Sequence, residues 1–242
     1  MFKNLVRIFK ETLFPNGLTC DICGVETFNG NLCADCLKTV KFNDGNFCPV
    51  CGRKTVRPEI CGECKAHLPL FNKGVSPLVY KDGSAALIHK FKNGNGYLKE
   101  YFADLICERL RFLPVADRIV YVPVTPYTRK KRGYNQDKLL AQSISERTGI
   151  PVIKNCVVKV KETGEQKELS RIARVKNLKG CFKVVKPNEV KDRSLLLVDD
   201  VLTTGATADE MTKVLFKAGA TAVYLAVIAA VEFGLCGKKS TA

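Results

Sequence analysis

No apolar run in the 242-residue chain reaches the ~18 residues of a membrane-spanning helix, which argues against a helical transmembrane protein. The opening stretch MFKNLVRIFKETLFPNG is basic but lacks the continuous apolar core and small-residue cleavage site of a signal peptide. A cytoplasmic location with reduced thiols is therefore expected. There is no GxxxxGK[ST] loop, which argues against a P-loop NTPase. Histidine is scarce: His67 and His89 stand at neither metal-ligand nor nucleophile spacing, and no Ser–His–Asp arrangement is suggested.

Two features are abundant instead, 12 cysteines and a formal charge of +15. In a reducing compartment such cysteine density points to metal rather than disulfides. Eight thiolates around two Zn²⁺ ions would lower the charge only to about +11, so anionic partners are expected: phosphate compounds, nucleic acid, or both. Residues 1–70 are close to charge balance, and the basic excess belongs to residues 71–242. A boundary falls around Leu68–Lys73, where Pro69 interrupts the chain. The expected organisation is an N-terminal helix over 1–17 (Phe2, Leu5, Val6, Phe9 and Leu13 on one face), a cysteine-rich module over 18–70 and an α/β domain over 71–242.

Cys20, Cys23, Cys33, Cys36, Cys48, Cys51, Cys61 and Cys64 form four CxxC pairs. Gly24 and Gly52 directly follow two pairs and Gly62 lies inside a third, which suits knuckle turns. Four thiolates saturate a tetrahedral Zn²⁺ and leave no position for water, so two structural sites are expected. Equal gaps within each half favour sequential pairing, Cys20/23/33/36 and Cys48/51/61/64, over a cross-brace. Cys107, Cys156, Cys181 and Cys236 are scattered and read as small buried hydrophobes.

Beyond residue 70, strand and helix patterns alternate. Strands are expected at Val75–Tyr80, Arg118–Val122, Val152–Ile153, Val157–Val160, Cys181–Val185, Ser194–Val198 and Thr221–Ala229. Helices are expected at Ser84–Lys92, Leu98–Phe112, Asn135–Thr148 and Ala206–Ala218, the last stopping at Gly219. Runs such as LLLV and AVYLAVIAAV lack polar alternation and fit a parallel sheet buried on both faces, a doubly wound α/β fold.

The stretch LLLVDDVLTTGAT, Leu195 to Thr207, is the most informative. Asp199 and Asp200 follow an apolar strand, on a loop that leads through Thr203, Thr204, Gly205, Ala206 and Thr207 into a helix. Backbone N–H groups at a helix start, with small residues and hydroxyls, suit a phosphate; the carboxylates suit sugar hydroxyls or Mg²⁺. A phosphorylated ribose satisfies both halves. Arg129, Lys130, Lys131 and Arg132 form a basic loop, either beside a diphosphate or simply solvated, followed by Asn135 as a helix cap and Gln136.

VDDVLTTGAT resembles the phosphoribosyl-pyrophosphate (PRPP) motif of type I phosphoribosyltransferases. VPVTPYTRKKRGYNQDKLLAQ, Val122–Gln142, resembles the signature of the ComF/GntX family of competence-related proteins, as does the cysteine-rich leader. Gln166, Leu169, Arg174, Asn177 and Phe182 match that family's spacing, whereas Lys159 and Lys161 stand where arginine is expected. The resemblance implies a type I phosphoribosyltransferase-like sheet preceded by a double zinc ribbon. It also implies that Asp199 and Asp200 hold the ribose hydroxyls of Mg·PRPP while Thr203–Thr207 cradle the 5′-phosphate. Pro123–Thr128, with Val124 and Thr125, would be the pyrophosphate loop, Arg129, Arg132 and Gln136 would face the ligand, and Lys161–Lys179 would form a flap. Implied partners are PRPP, single-stranded DNA and competence or recombination proteins. The implied activity is phosphoribosyl transfer, or else nucleic-acid binding in which the PRPP site is regulatory or a relic.

Overall fold

The computed structural model describes residues 19–27, 32–161 and 176–232. The expected 1–17 helix, Cys236, Gln166, Leu169, Arg174 and most of the Lys161–Lys179 stretch lie outside the described residues.

The cysteine-rich region contributes α1 (Ala34–Thr39), β1 (Val40–Phe42) and α2 (Gly62–Ala66). Next come β2 (Lys73–Val75), β3 (Leu78–Lys81), α3 (Asp82–Lys92), a 3-10 turn at Gly96–Leu98 and α4 (Lys99–Leu110). They lead into β4 (Arg118–Tyr121), α5 (Pro126–Arg132), α6 (Gln136–Thr148) and the hairpin strands β5 (Val157–Lys159) and β6 (Phe182–Val184). α7 (Pro187–Val190), β7 (Ser194–Leu202), α8 (Ala206–Lys217) and β8 (Ala222–Ala230) complete the described chain.

The main sheet runs β1-β3-β8-β7-β4, with β2 also on β8; every pairing is parallel except β1 with β3. Val152 extends it by a bridge to Ile119 beyond β4. The single strand expected at Val75–Tyr80 is two strands, both on β8 and separated by Ser76–Pro77, because proline has no N–H to give the ladder. β5 and β6 pair antiparallel in a separate two-stranded sheet.

β7 and β8 sit centrally and are buried along almost their whole length, which is why their sequences do not alternate. Side chains still sort by parity. Leu195, Leu197, Val223, Leu225 and Val227 pack with Met211 and Leu215 of α8. Leu196, Val198, Ala226 and Ile228 pack with Ile88 and Phe91 of α3, Phe102 and Ile106 of α4, and Leu140 and Ile144 of α6. Each buried Val, Leu, Ile, Phe or Met side chain among them contributes about 1.5–3 kcal/mol of transfer free energy. Cys48, Cys51 and Cys64 belong to the first of these clusters, and β1 of the cysteine-rich region pairs Phe42 with Leu78 at the sheet edge.

Candidate functional site

The cysteines gather into two groups, Cys20/Cys23/Cys33/Cys36 and Cys48/Cys51/Cys61/Cys64, each with its sulfurs within 4.8 Å of one another. Pairing is therefore sequential. Backbone amides of Ile22, Cys36 and Cys61 donate to Cys20, Cys33 and Cys48 sulfurs, each at 3.4 Å, as suits thiolates. Bonds from Cys51, Cys61 and Cys64 hold the Cys48 thiol far below its ordinary range, and the same crowding drives Cys64 far above it. Burial raises the Cys20 thiol, but amide bonds from Cys23, Cys33 and Ile22 outweigh it and bring it down to about 6. Thiols packed this closely oppose each other's ionisation, a conflict that a divalent cation removes; the donor sets fit two structural Zn²⁺ ions. Gly24 and Gly52 have the positive φ of knuckle turns, whereas Gly62 is the first residue of α2 and makes none. Cys156 and Cys181 are buried, and Cys107 is half-buried.

Asp199 and Asp200 are not on a loop. β7 continues through them to Leu202, with Asp199 opposite Val227 and Leu202 opposite Ala230, because β8 is long enough to keep pairing. Both acids are buried. Asp200 follows Leu196 and Val198 on the face covered by α3 and α6, and this is why two residues from those helices reach it. Lys92 Nζ lies 2.9 Å from Asp200 Oδ2, and Gln136 Nε2 donates to the same oxygen at 2.9 Å. Arg132 Nη1 donates to Gln136 Oε1 at 3.1 Å, linking α5 to the acids. Asp199 Oδ1 accepts from the Asp200 amide at 2.8 Å.

A third carboxylate joins them. Asp137, in the first turn of α6 and 2% exposed, lies with Asp199 and Asp200 inside 4.8 Å, and its Oδ1 has no hydrogen-bond partner. Burial and then the Asp200 charge raise the Asp199 carboxyl to about 7; burial and the Asp200 and Asp199 charges raise Asp137 well above the carboxylate range. Burial opposes the charge of Lys92, but Asp200, with Asp137 and Asp199 behind it, more than compensates and its pKa rises. Neither Asp137 nor Lys92 was legible as a site residue. Asp137 adjoins Gln136 and takes the acid-favouring first turn of a helix, which is the one available signal. Three carboxylates facing one lysine, with an orphan buried oxygen, fit a Mg²⁺-bearing ligand.

Thr203, Thr204 and Gly205 leave β7, and Ala206 and Thr207 open α8. Gly205 is the N-cap with φ +82°, a conformation a Cβ would strain, and the Ala206 amide that follows donates to Thr204 Oγ1 at 3.4 Å. The run Arg129–Arg132 is helical rather than a loop: Pro126 sits in the first turn of α5, and Thr125 caps it by accepting from the Thr128 amide. Asn135 caps α6 through the Asp137 and Lys138 amides. Val124 and Arg129 line a cavity of about 760 Å³ with Lys130, Lys138 and Lys159; neither Asp199 and Asp200 nor Thr203–Thr207 line it.

The double zinc ribbon domain family matches residues 9–65. Among solved structures, adenine phosphoribosyltransferase from Thermoanaerobacter pseudethanolicus is 14% identical with a TM-score of 0.37, covering 62% of this chain and 86% of that one. The chain is 37% identical over 119 residues to the DNA utilization protein YhgH of Escherichia coli, 49% of this chain and about half (52%) of that protein. It is 37% identical over 163 residues to Competence protein F of Haemophilus influenzae, 62% of this chain and 69% of that protein. With identity of that order running through most of the relative's length, the chain belongs to the ComF/GntX family of competence-related proteins.

Proposed function

We propose that the chain binds Mg·PRPP at the carboxyl end of β7 and transfers its phosphoribosyl group, acting in the cytoplasm in DNA uptake or recombination. The observation that carries this reading is the trio Asp137, Asp199 and Asp200, the last two on β7 shortly before the Thr203–Gly205 loop that leads into α8. The 5′-phosphate would accept from loop and α8 amides and from the Thr203, Thr204 and Thr207 hydroxyls. The ribose hydroxyls would donate to Asp199 and Asp200, and Lys92 and Gln136 would keep Asp200 oriented. Mg²⁺, when bound, supplies charge for the departing pyrophosphate. The C1–O bond to pyrophosphate breaks with its electron pair leaving on oxygen, C1 passes through an oxocarbenium-like centre, and an acceptor nucleophile forms the new bond and releases its proton. Buried carboxylates next to that centre stabilise its positive charge.

Calorimetry on Asp199→Asn with Asp200→Asn tests the reading. Mg·PRPP affinity should fall at least ~100-fold, about 2.7 kcal/mol, while the fold persists, because asparagine keeps the shape and removes buried like charge. Unchanged affinity refutes it.

A second reading, nucleic-acid binding, is favoured by the cavity of about 760 Å³, whose lining includes Arg129, Lys130, Lys138 and Lys159 and no acid among the described residues. Phosphates neutralised there would release counterions, so binding of labelled single-stranded DNA should fall steeply with salt. Replacing Arg129, Lys130 and Lys131 by alanine should flatten that slope; an unchanged slope removes this helix from DNA binding.

A further inference from the structure

The second cysteine site and the phosphate loop are joined by one side chain. Residues 48–53 form a knuckle closed by the Cys48 amide donating to Arg53 O at 2.7 Å and the Gly52 amide to Cys48 O at 2.9 Å. The Arg53 side chain then crosses to the carboxyl end of the sheet, where it is 3% exposed. Its Nη1 donates to Leu202 O at 3.0 Å and Val231 O at 2.7 Å, and its Nη2 to Thr203 O. Leu202 is the last residue of β7 and Thr203 the first of the loop, so the guanidinium fork satisfies the carbonyls where the ladder ends.

The knuckle has little freedom to move. A Cβ on Gly52 would lie 2.6 Å from Gly74 O and 2.7 Å from Val75 Cα, so the turn is pressed directly on β2. Gly74 N donates to Val50 O at 2.8 Å, and Asn43 Nδ2 bonds both Gly52 O at 2.7 Å and Ser76 O at 2.8 Å. The far end of the loop is tied to the same region: Leu70 N donates to Asp209 Oδ1, in the first turn of α8, at 2.8 Å. The first cysteine site reaches the rest of the chain elsewhere, through Tyr97 Oη donating to Asp21 Oδ1.

We propose that Arg53 is a positioning residue for the Thr203–Thr207 loop and that metal in Cys48/Cys51/Cys61/Cys64 holds Arg53 in place, so that occupancy of the second site, not the first, governs phosphate affinity. This rests on the reading of Thr203–Thr207 as a phosphate loop. Cys51 is two residues from Arg53, so a knuckle that opens without metal carries the fork away from its three carbonyls. The loop then loses the anchor at its entry, and amides that must converge on one anion no longer do so. A lysine offers a point charge in place of the planar fork and restores only part of the hold.

The test uses the full, zinc-loaded chain, with hydrogen exchange read over residues 199–211, metal analysis, and titration with Mg·PRPP and with inorganic phosphate. Arg53→Met should keep two zinc ions and normal protection in β8 and α6, while exchange over 199–211 rises at least ~10-fold and affinity for both probes falls by a similar factor. Arg53→Lys should fall between; should Arg53→Met fail to fold, Arg53→Lys decides on the same readout. Cys20→Ser with Cys23→Ser should lose one zinc and leave 199–211 unchanged. Unchanged exchange over 199–211 in the Arg53 variant, or after loss of the second zinc, overturns the proposal. A wild-type chain that binds no Mg·PRPP refutes the phosphoribosyl reading instead, and the exchange arm still decides whether Arg53 holds the loop.

Discussion

The two cysteine sites share one spacing and differ in almost everything else. In the first, Cys20 is buried, Cys23 is exposed and Cys33 and Cys36 are half-buried; the α1 helix beside it buries no residue. In the second, Cys48, Cys51 and Cys64 are buried in the same apolar cluster as Phe71, Leu202 and Met211. Equal coordination chemistry therefore stands in two mechanical settings. One site closes a small loop near solvent, and the other is a part of the sheet's core.

The largest effect that sharpens this contrast comes from serine substitutions in one site at a time. A structural zinc site of this kind is worth about 10 kcal/mol or more in isolation, all of it folding energy. Cys48→Ser with Cys51→Ser should lower the melting temperature of the whole chain, because the core and sheet edge open with it. Cys20→Ser with Cys23→Ser should leave the main transition within a few degrees. Equal shifts in calorimetry would break the comparison.

Linkage gives the next. If the second site and the phosphate loop are coupled, saturating Mg·PRPP must strengthen zinc retention at that site by the same factor that zinc strengthens Mg·PRPP binding. Zinc release to a chromophoric chelator should show two phases. The fast one, from the more exposed first site, should be insensitive to Mg·PRPP, and at chelator equilibrium the second site should hold zinc about 10-fold more tightly with Mg·PRPP than without.

A titration probes the acid end to which the second site is tied. Asp199, raised to about 7, and Asp137, raised well above its ordinary range, hold protons in the folded chain that the unfolded chain releases near pH 4. Between those limits the folded state binds more protons, so stability falls as pH rises, for Asp199 most steeply from about pH 5 to 7, with zinc content checked. Asp44, held low by Lys54, and Asp117, held low by Ser194, act in the opposite sense only as pH drops below the ordinary carboxylate range. Asp199→Asn should reduce the slope seen in denaturant melts; an unaltered slope would show that the buried acids do not titrate there.

The smallest effect belongs to the first site's surface. Lys38 and Asp35 pair at 3.0 Å with their side chains 75% and 91% exposed. Lys38→Ala should cost no more than about 0.5 kcal/mol and change neither zinc content nor exchange over 199–211.

Much of this was legible beforehand because it is local. A CxxC pair declares a metal ligand within four residues, and the spacing of the pairs foretold sequential sites. Leu195–Thr207 announced a buried strand, two acids and a glycine turn into a helix in one continuous stretch, and Asn135 announced its cap. The errors were also local in origin. The acids were read as ending the strand because charge is costly inside a sheet, and the basic run after Pro126 was read as a loop because its charge masked a short capped helix of about two turns.

What the sequence by itself determined is the chemistry carried on short segments: thiols in pairs for zinc, a glycine and hydroxyls at the start of a helix, carboxylates near a strand's end. Tertiary structure alone decided which distant groups complete that chemistry. Lys92 and Asp137 come to Asp200 from two helices on one sheet face, and Arg53 meets Leu202 across 149 residues of chain. No pattern in the sequence encodes such meetings, because the partners are backbone carbonyls and buried charges whose neighbours exist only once β7 and β8 are paired and the helices have closed over them.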